Sequence, residues 1–255
     1  MSIVISIWMF IIGAIFGSFY NVVGLRIPLK ESIVSPPSHC PNCNHQLTAK
    51  ELIPIFSYLW QKGKCKNCGK KISAIYPVFE SISGLLFALA YLSFGFTPEL
   101  IIALTFISML IIIVVSDLNY LIIPDSILLI FGLALVLEIY VINGFNILIT
   151  SLINGLLSFI FMFALKKFGD FLFKRESMGG GDIKLMFIIG MILSFPMSII
   201  SIFLASLIGF PIAFYIMKKN SNHVIPFGPL LALGAVILLL LQINVETILN
   251  LYGLA

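Results

Sequence analysis

The stretch Leu100-Ile-Ile-Ala-Leu-Thr-Phe-Ile-Ser-Met-Leu-Ile-Ile-Ile-Val-Val-Ser-Asp117 decides the fold class. Seventeen residues pass without a charge, and the eighteenth is a carboxylate. A bilayer core about 30 Å thick takes about 20 apolar residues as a helix, so this run with its flanks predicts a membrane span. The same pattern recurs along the chain. Apolar segments are predicted at 2–25, 76–94, 100–116, 126–142, 147–165, 183–195, 198–217 and 230–251, about eight transmembrane helices. The composition agrees. Of 255 residues, 60% are hydrophobic and 10% charged, whereas a soluble domain carries about 25% charged residues. The fold class expected is an all-α polytopic membrane protein. The first segment lacks the basic start and small-residue cleavage site of a signal peptide, and reads as a retained helix.

The polar connections set the orientation. Eight of the fifteen Lys and Arg lie between the first and second helices, five around the fifth-to-sixth connection, and Lys218 and Lys219 after the seventh. With eight spans all of these fall on one side, and the turns opposite (95–99, 143–146 and Pro196) carry none. By the positive-inside rule the charged side is cytoplasmic and both termini lie outside. The net charge of +4 then reports orientation and attraction to anionic headgroups, and no nucleic-acid partner is expected. Three units follow: helix one (1–25), a polar cytoplasmic insert (26–75) and a helical membrane domain (76–255).

All four cysteines sit in the insert, as Cys40-Pro-Asn-Cys43 and Cys65-Lys-Asn-Cys68. Each pair reads as a knuckle, with Asn44 and Gly69 placed where such turns need positive φ. Two knuckles supply the four sulfurs of a closed tetrahedral Zn²⁺ site. Two disulfides are the alternative, disfavoured in a reducing cytosol. A 50-residue insert also lacks the core to fold on apolar burial alone, which a metal would supply. His39 and His45 flank the first knuckle as surface residues.

Three of the four aspartates stand out at the charged side. Asp125, after Pro124, and Asp182, after Gly179-Gly-Gly, both stand where a helix N-cap would be, and capping is the role expected of Asp125. Three glycines are more than a cap requires, so Gly179, Gly180 and Gly181 read as a loop that lets a peptide or helix approach Asp182 closely. Asp117 ends a helix, where the dipole disfavours an anion. Two carboxylates brought together share one proton, the chemistry of an aspartyl protease. The spacing alone leaves open whether Asp117 and Asp182 meet.

The combination resembles the type IV prepilin peptidases, the bifunctional leader peptidase/N-methyltransferases of pilus, type II secretion and competence systems. Six blocks carry it in order: Gly17-Ser-Phe-Tyr-Asn-Val-Val with Arg26-Ile-Pro; the two cysteine pairs with Ile53-Pro-Ile-Phe-Ser-Tyr-Leu59 between them; Tyr76-Pro-Val-Phe-Glu80; Asp117 through Pro124-Asp125; Met178-Gly-Gly-Gly-Asp-Ile-Lys-Leu185; and Pro226-Phe-Gly-Pro-Leu-Leu-Ala-Leu-Gly234. Tyr20 and Leu52 depart from the usual Leu and Asn, and the latter resembles the Gram-positive competence and pilus type. The resemblance implies that Asp117 and Asp182 are the catalytic pair. It also implies cleavage of a basic leader after Gly on the cytosolic side of prepilin or pseudopilin substrates, in the cell membrane. The new N-terminus, usually Phe, is then methylated with S-adenosylmethionine. No glycine-rich cofactor loop of the Rossmann kind is present, so this cofactor rests on the resemblance. Glu80, an acid at the entry of helix two, and Asn21 are the residues expected to serve the methyl transfer. A different class remains open: a transporter or channel with a zinc-stabilised insert, whose carboxylates would be cation or proton sites.

Overall fold

The computed structural model describes residues 2–174, 176, 178–219 and 226–243. Eight apolar helices carry the chain: α1 (Ser2–Arg26), α3 (Ile75–Phe94), α4 (Glu99–Tyr120), α5 (Asp125–Asn143), α6 (Phe145–Phe173), α7 (Gly180–Leu193), α8 (Phe195–Lys219) and α9 (Gly228–Leu240). The short α2 (Phe56–Trp60) lies in the insert. Among the described residues there is no strand, only two isolated antiparallel bridges, His39 with Gln46 and Lys64 with Lys71. Six helices are long and apolar enough to cross a membrane; α7, with 14 residues, and α9, with 13, fall short of that length. The expectation of about eight spans thus matches eight apolar helices, two of which are short.

α4 is the centre. Its apolar window is 67% buried inside the protein, against 22–39% for the other five spanning helices. A helix apolar on all sides belongs inside a bundle, and α4 packs against α1, α3, α5 and α9. Small residues set the closest approaches. A Cβ added at Gly13 or Gly17 of α1 would stand 2.6 Å from the Ser83 carbonyl or 2.9 Å from the Glu80 Cα, and one added at Gly84 would stand 2.7 Å from the Phe10 carbonyl. Without side chains between them, α1 and α3 touch backbone to backbone, which is how helices bind where no hydrophobic drive exists.

Several boundaries differ from the sequence reading. α4 runs past Ser116 to Tyr120, held by Asn119 Nδ2 on the Val115 carbonyl (2.7 Å) and closed by Leu121 in the left-handed conformation. Asp117 therefore sits inside the last turn. α7 begins three residues before Ile183, with Gly179 as N-cap, so Asp182 lies in its first turn. α6 has 29 residues, about 43 Å of helix, and carries Lys166 and Lys167 beyond the apolar part. The second half of the last expected helix, residues 244–251, lies outside the described residues, as does the C-terminus.

The antiparallel turns bring one set of ends together with the insert: the C-termini of α1, α4 and α6 and the N-termini of α3, α5, α7 and α9. At the other end Ser93 donates to the Leu240 carbonyl (2.7 Å) and Gln242 Nε2 to the Ser93 carbonyl (2.7 Å), tying α3 to α9.

Candidate active site

Asp117 and Asp182 come to the same end of the bundle and are nearly buried, with 6% and 7% exposure. Asp182 is near enough to feel the charge of Asp117. Asp117, on the unfavourable end of α4, is compensated by another helix: its carboxylate accepts the Gly228 backbone N–H at the start of α9. The first N–H groups of a helix have no internal partner and carry its positive pole. Asp182 uses its own helix. As the third residue of α7 it reaches back to accept the Gly179 N–H, the carboxylate half of a capping box. Its Oδ1 is buried with no partner.

The glycines give these carboxylates room. A Cβ at Gly228 would stand 2.6 Å from Asp117 Oδ2, and one at Gly181 would stand 2.7 Å from Ile123 Cβ. Ile123 also borders Gly228, so one side chain of the α4–α5 turn separates the two glycine-bearing helix starts. Gly179 is the N-cap and Gly180 opens α7 with nothing near it. In the sequence Gly228 is only one residue of a block; its role depends on α9 meeting α4, which no local pattern announces.

Asp125 is elsewhere. It is not a cap, since Pro124 holds that position and Asp125 is the first residue of α5. Lys184 Nζ donates to both of its oxygens at 2.7 Å, with the two side chains 51% and 70% exposed. Such an exposed pair contributes about 0–1 kcal/mol. The capping expectation fails because the preceding proline lies extended and Lys184, one turn into α7, faces Asp125.

The four cysteine sulfurs all lie within 4.8 Å of one another. Cys40 and Cys68, and likewise Cys43 and Cys65, are 3.9 Å apart, and no pair is a disulfide. Four sulfurs at about 2.3 Å from a zinc ion stand about 3.8 Å apart at the corners of a tetrahedron, so the residues fit the metal. The two knuckles repeat one hydrogen-bond pattern. Cys40 N–H donates to the His45 carbonyl and Asn44 N–H to the Cys40 carbonyl (both 2.9 Å); Cys65 N–H donates to the Lys70 carbonyl (2.8 Å) and Gly69 N–H to the Cys65 carbonyl (2.9 Å). Asn44 and Gly69 take φ of +54° and +70°, as the sequence required. Backbone N–H groups of Asn42 and Cys43 pull the Cys40 thiol down to about 6. At Cys68 the Lys70 N–H is outweighed by burial and the neighbouring sulfurs, which push it up to about 11. A cluster that eases ionisation of Cys40 and opposes it at Cys68 calls for a cation.

A second polar cluster joins the insert to the bundle. Glu80, buried, accepts the Ile55 N–H at 2.7 Å, with Ser18 beside its carboxylate. Ile55 has φ +62° and ψ −55°, and Phe56 N–H closes on the Pro54 carbonyl. This is a γ-turn of the rare, strained hand, on a β-branched residue that pays about 1–3 kcal/mol for it. Asn21, with no exposure, donates Nδ2 to the Tyr76 carbonyl at 3.2 Å, while its Oδ1 is buried without a partner.

Residues 11–94 match the bacterial peptidase A24 N-terminal domain, and residues 104–214 match the type IV leader peptidase family. The prepilin leader peptidase/N-methyltransferase of Bacillus subtilis is 39% identical over 232 residues, 90% of this chain and 91% of that protein. The protein of that name from Aeromonas hydrophila is 31% identical over 261 residues, covering 91% and 89%. That from Myxococcus xanthus is 35% identical over 192 residues, covering 74% and 56%. No solved structure matches. With blocks aligned from α1 to α8 and a relative matched over nine-tenths of both chains, the chain belongs to the type IV leader peptidase family.

Proposed function

We propose that this protein is a membrane aspartyl endopeptidase that removes the basic leader of prepilin-like substrates after Gly and N-methylates the new N-terminus. The observation that carries the peptidase reading is the pairing of buried Asp117 and Asp182 at the insert end of the bundle. Two such carboxylates share a proton. The ionised one takes a proton from a water, and the protonated one polarises the scissile carbonyl. Gly179 and Gly180 leave backbone open for an extended leader beside Asp182, while Gly181 lets Ile123 pack close. A transporter would hold its carboxylates near the midplane on broken helices; here they lie in the terminal turns of α4 and α7.

Orientation follows from charge. Among the described residues every Lys and Arg is in the insert or toward the helix ends on its side, so the insert and the dyad face the cytoplasm in the inner (cytoplasmic) membrane, with both termini outside. In that arrangement the pilin's apolar segment stays in the bilayer while its leader reaches the carboxylates. Residues 26–75 act as a separate unit, with Cys40, Cys43, Cys65 and Cys68 holding a structural zinc ion. S-adenosylmethionine supplies a methyl group on a sulfonium. Buried acceptors at the insert stem, Glu80 and Asn21, suit the cationic N-terminus that receives it.

The test is purified protein incubated with a prepilin in detergent, followed by intact mass with and without S-adenosylmethionine. The expected products are leaderless pilin without the donor and the same chain 14 Da heavier with it. An unprocessed prepilin overturns the peptidase reading.

A further inference from the structure

Outside the dyad and the cysteine cluster, buried polar atoms gather at the insert stem. It lies where the insert rests on α1 and α3. The Asn21 amide has one possible orientation there: its Nδ2 must face the Tyr76 carbonyl, since two oxygens would repel. That leaves Oδ1, on a residue with no exposure, lacking any donor. A buried acceptor without a donor is destabilising, so the site is built for something that brings one.

The second acceptor is close by. Tyr76 and Glu80 are one turn apart on α3, and Ser18 and Asn21 one turn apart on α1. Asn21 meets Tyr76 and Ser18 meets Glu80, so the two contacts form adjacent rungs about 5 Å apart. Side chains lean toward the N-terminus of their helix, which aims Glu80 at the Asn21 rung. Among the described residues, the insert's donor to the Glu80 carboxylate is the Ile55 N–H, presented by the strained γ-turn. A ligand with stronger donors can replace it and let that turn relax. On either side of Ile55 stand exposed apolar side chains, Ile53 and Phe56.

An ammonium group offers three donors and a positive charge to a carboxylate and an amide oxygen. Peptide cleavage at the dyad creates one. The path is short: one turn beyond Asn21, Gly24 packs on Val115, two residues before Asp117, which puts the cluster on the order of 10 Å from the carboxylates.

We infer that Asn21 and Glu80 form the binding site for the newly exposed N-terminal ammonium of the cleaved substrate, with Ile55 N–H as its stand-in. This deepens the methyltransferase half of the proposed function and rests on it. The apolar first side chain of the product lies against Ile53 and Phe56. In the transfer, one ammonium proton passes to Glu80. The freed nitrogen pair forms the new N–C bond while the C–S bond of the donor breaks with its electrons on sulfur.

The experiment compares binding of two fluorescent leaderless pilin peptides to the detergent-purified full chain without methyl donor: one with a free N-terminus, one N-acetylated. The wild type is expected to prefer the free amine at least tenfold. Glu80→Gln keeps an acceptor for Ile55 N–H, so the fold survives, and Asn21→Leu removes the amide; each should bring the preference within twofold. In turnover both should raise KM for the leaderless pilin at least tenfold, leave KM for S-adenosylmethionine unchanged, and cleave prepilin at the normal rate. Retained amine preference in both variants overturns the inference. So does a rise in KM for the methyl donor alone, which would assign the site to the donor's own ammonium, or a parallel loss of cleavage and methylation, which would make Glu80 a fold latch. A wild type that cleaves but never methylates overturns the functional reading instead, and the donor-free preference distinguishes that case.

Discussion

Asp117 and Asp182 differ from Asp125 in what surrounds them, and substitution should separate them. Asp117→Asn and Asp182→Asn keep size but cannot share a proton. Each is expected to lower leader cleavage by about a hundred- to ten-thousandfold, with expression and metal content unchanged; near-normal cleavage by either would end the dyad assignment. Asp125→Asn breaks only the exposed pair with Lys184 and should cost about 1 kcal/mol or less, with cleavage retained. Gly228→Ala places a methyl 2.6 Å from Asp117 Oδ2, so the carboxylate must move. Displacement on that scale costs on the order of a hundredfold, read as lower kcat on a folded protein. Asp117 and Asp182 were legible in the sequence because charge beside long apolar runs stands out. Gly228 and Ile123 were not, because they matter through helices that meet far apart in the chain. Asp125 was misread for a related reason: its partner Lys184 is 59 residues away.

The insert is the element whose stability can be measured by itself. One zinc per chain is expected by elemental analysis, lost in Cys40→Ser or Cys65→Ser. Those variants, like protein treated with a strong chelator, should be cut by protease first within residues 26–75, because the metal contributes folding free energy directly. Acid should act on a second support. Thr48 N–H and hydroxyl donate to Glu51 Oε2 at 3.0 and 2.7 Å, and His45 lies 3.3 Å away. The Thr48 backbone, its hydroxyl and His45 hold the Glu51 carboxyl below the usual carboxylate range. A depressed carboxyl stabilises the folded state fully above its unfolded value, about 4.3, and loses that contribution as pH falls through the lower folded value. The stability gap between wild type and Glu51→Gln, followed by proteolysis of the insert, should therefore be open at neutral pH and close below about pH 4. The knuckles were legible because C-x2-C fixes local geometry within four residues. The strained turn at Ile55 was not, since its cause, Glu80, sits in the next helix.

For the whole molecule, helix count and order followed from apolar run length, and the ends were less certain. Apolar length says where a helix can lie, while caps and buried partners say where it stops. That is why α4 extends over Asp117 and α7 starts at the glycines. Sidedness is testable on intact cells: cysteines introduced at Asn146 and Lys62 should react with an impermeant maleimide from outside only at Asn146, and labelling of Lys62→Cys would reverse the topology. The backbone contact of α1 with α3 bears on how such a protein can be altered. The chain leaves the membrane from α1 and returns through α3, and those stems are already joined by Asn21 and Tyr76 at 3.2 Å. The exit and re-entry points thus stay fixed whatever lies between them. The position is a natural graft site, where the intervening unit can be excised and bridged by a short flexible linker, or exchanged for an unrelated soluble domain, while the membrane scissors behind it keep cutting.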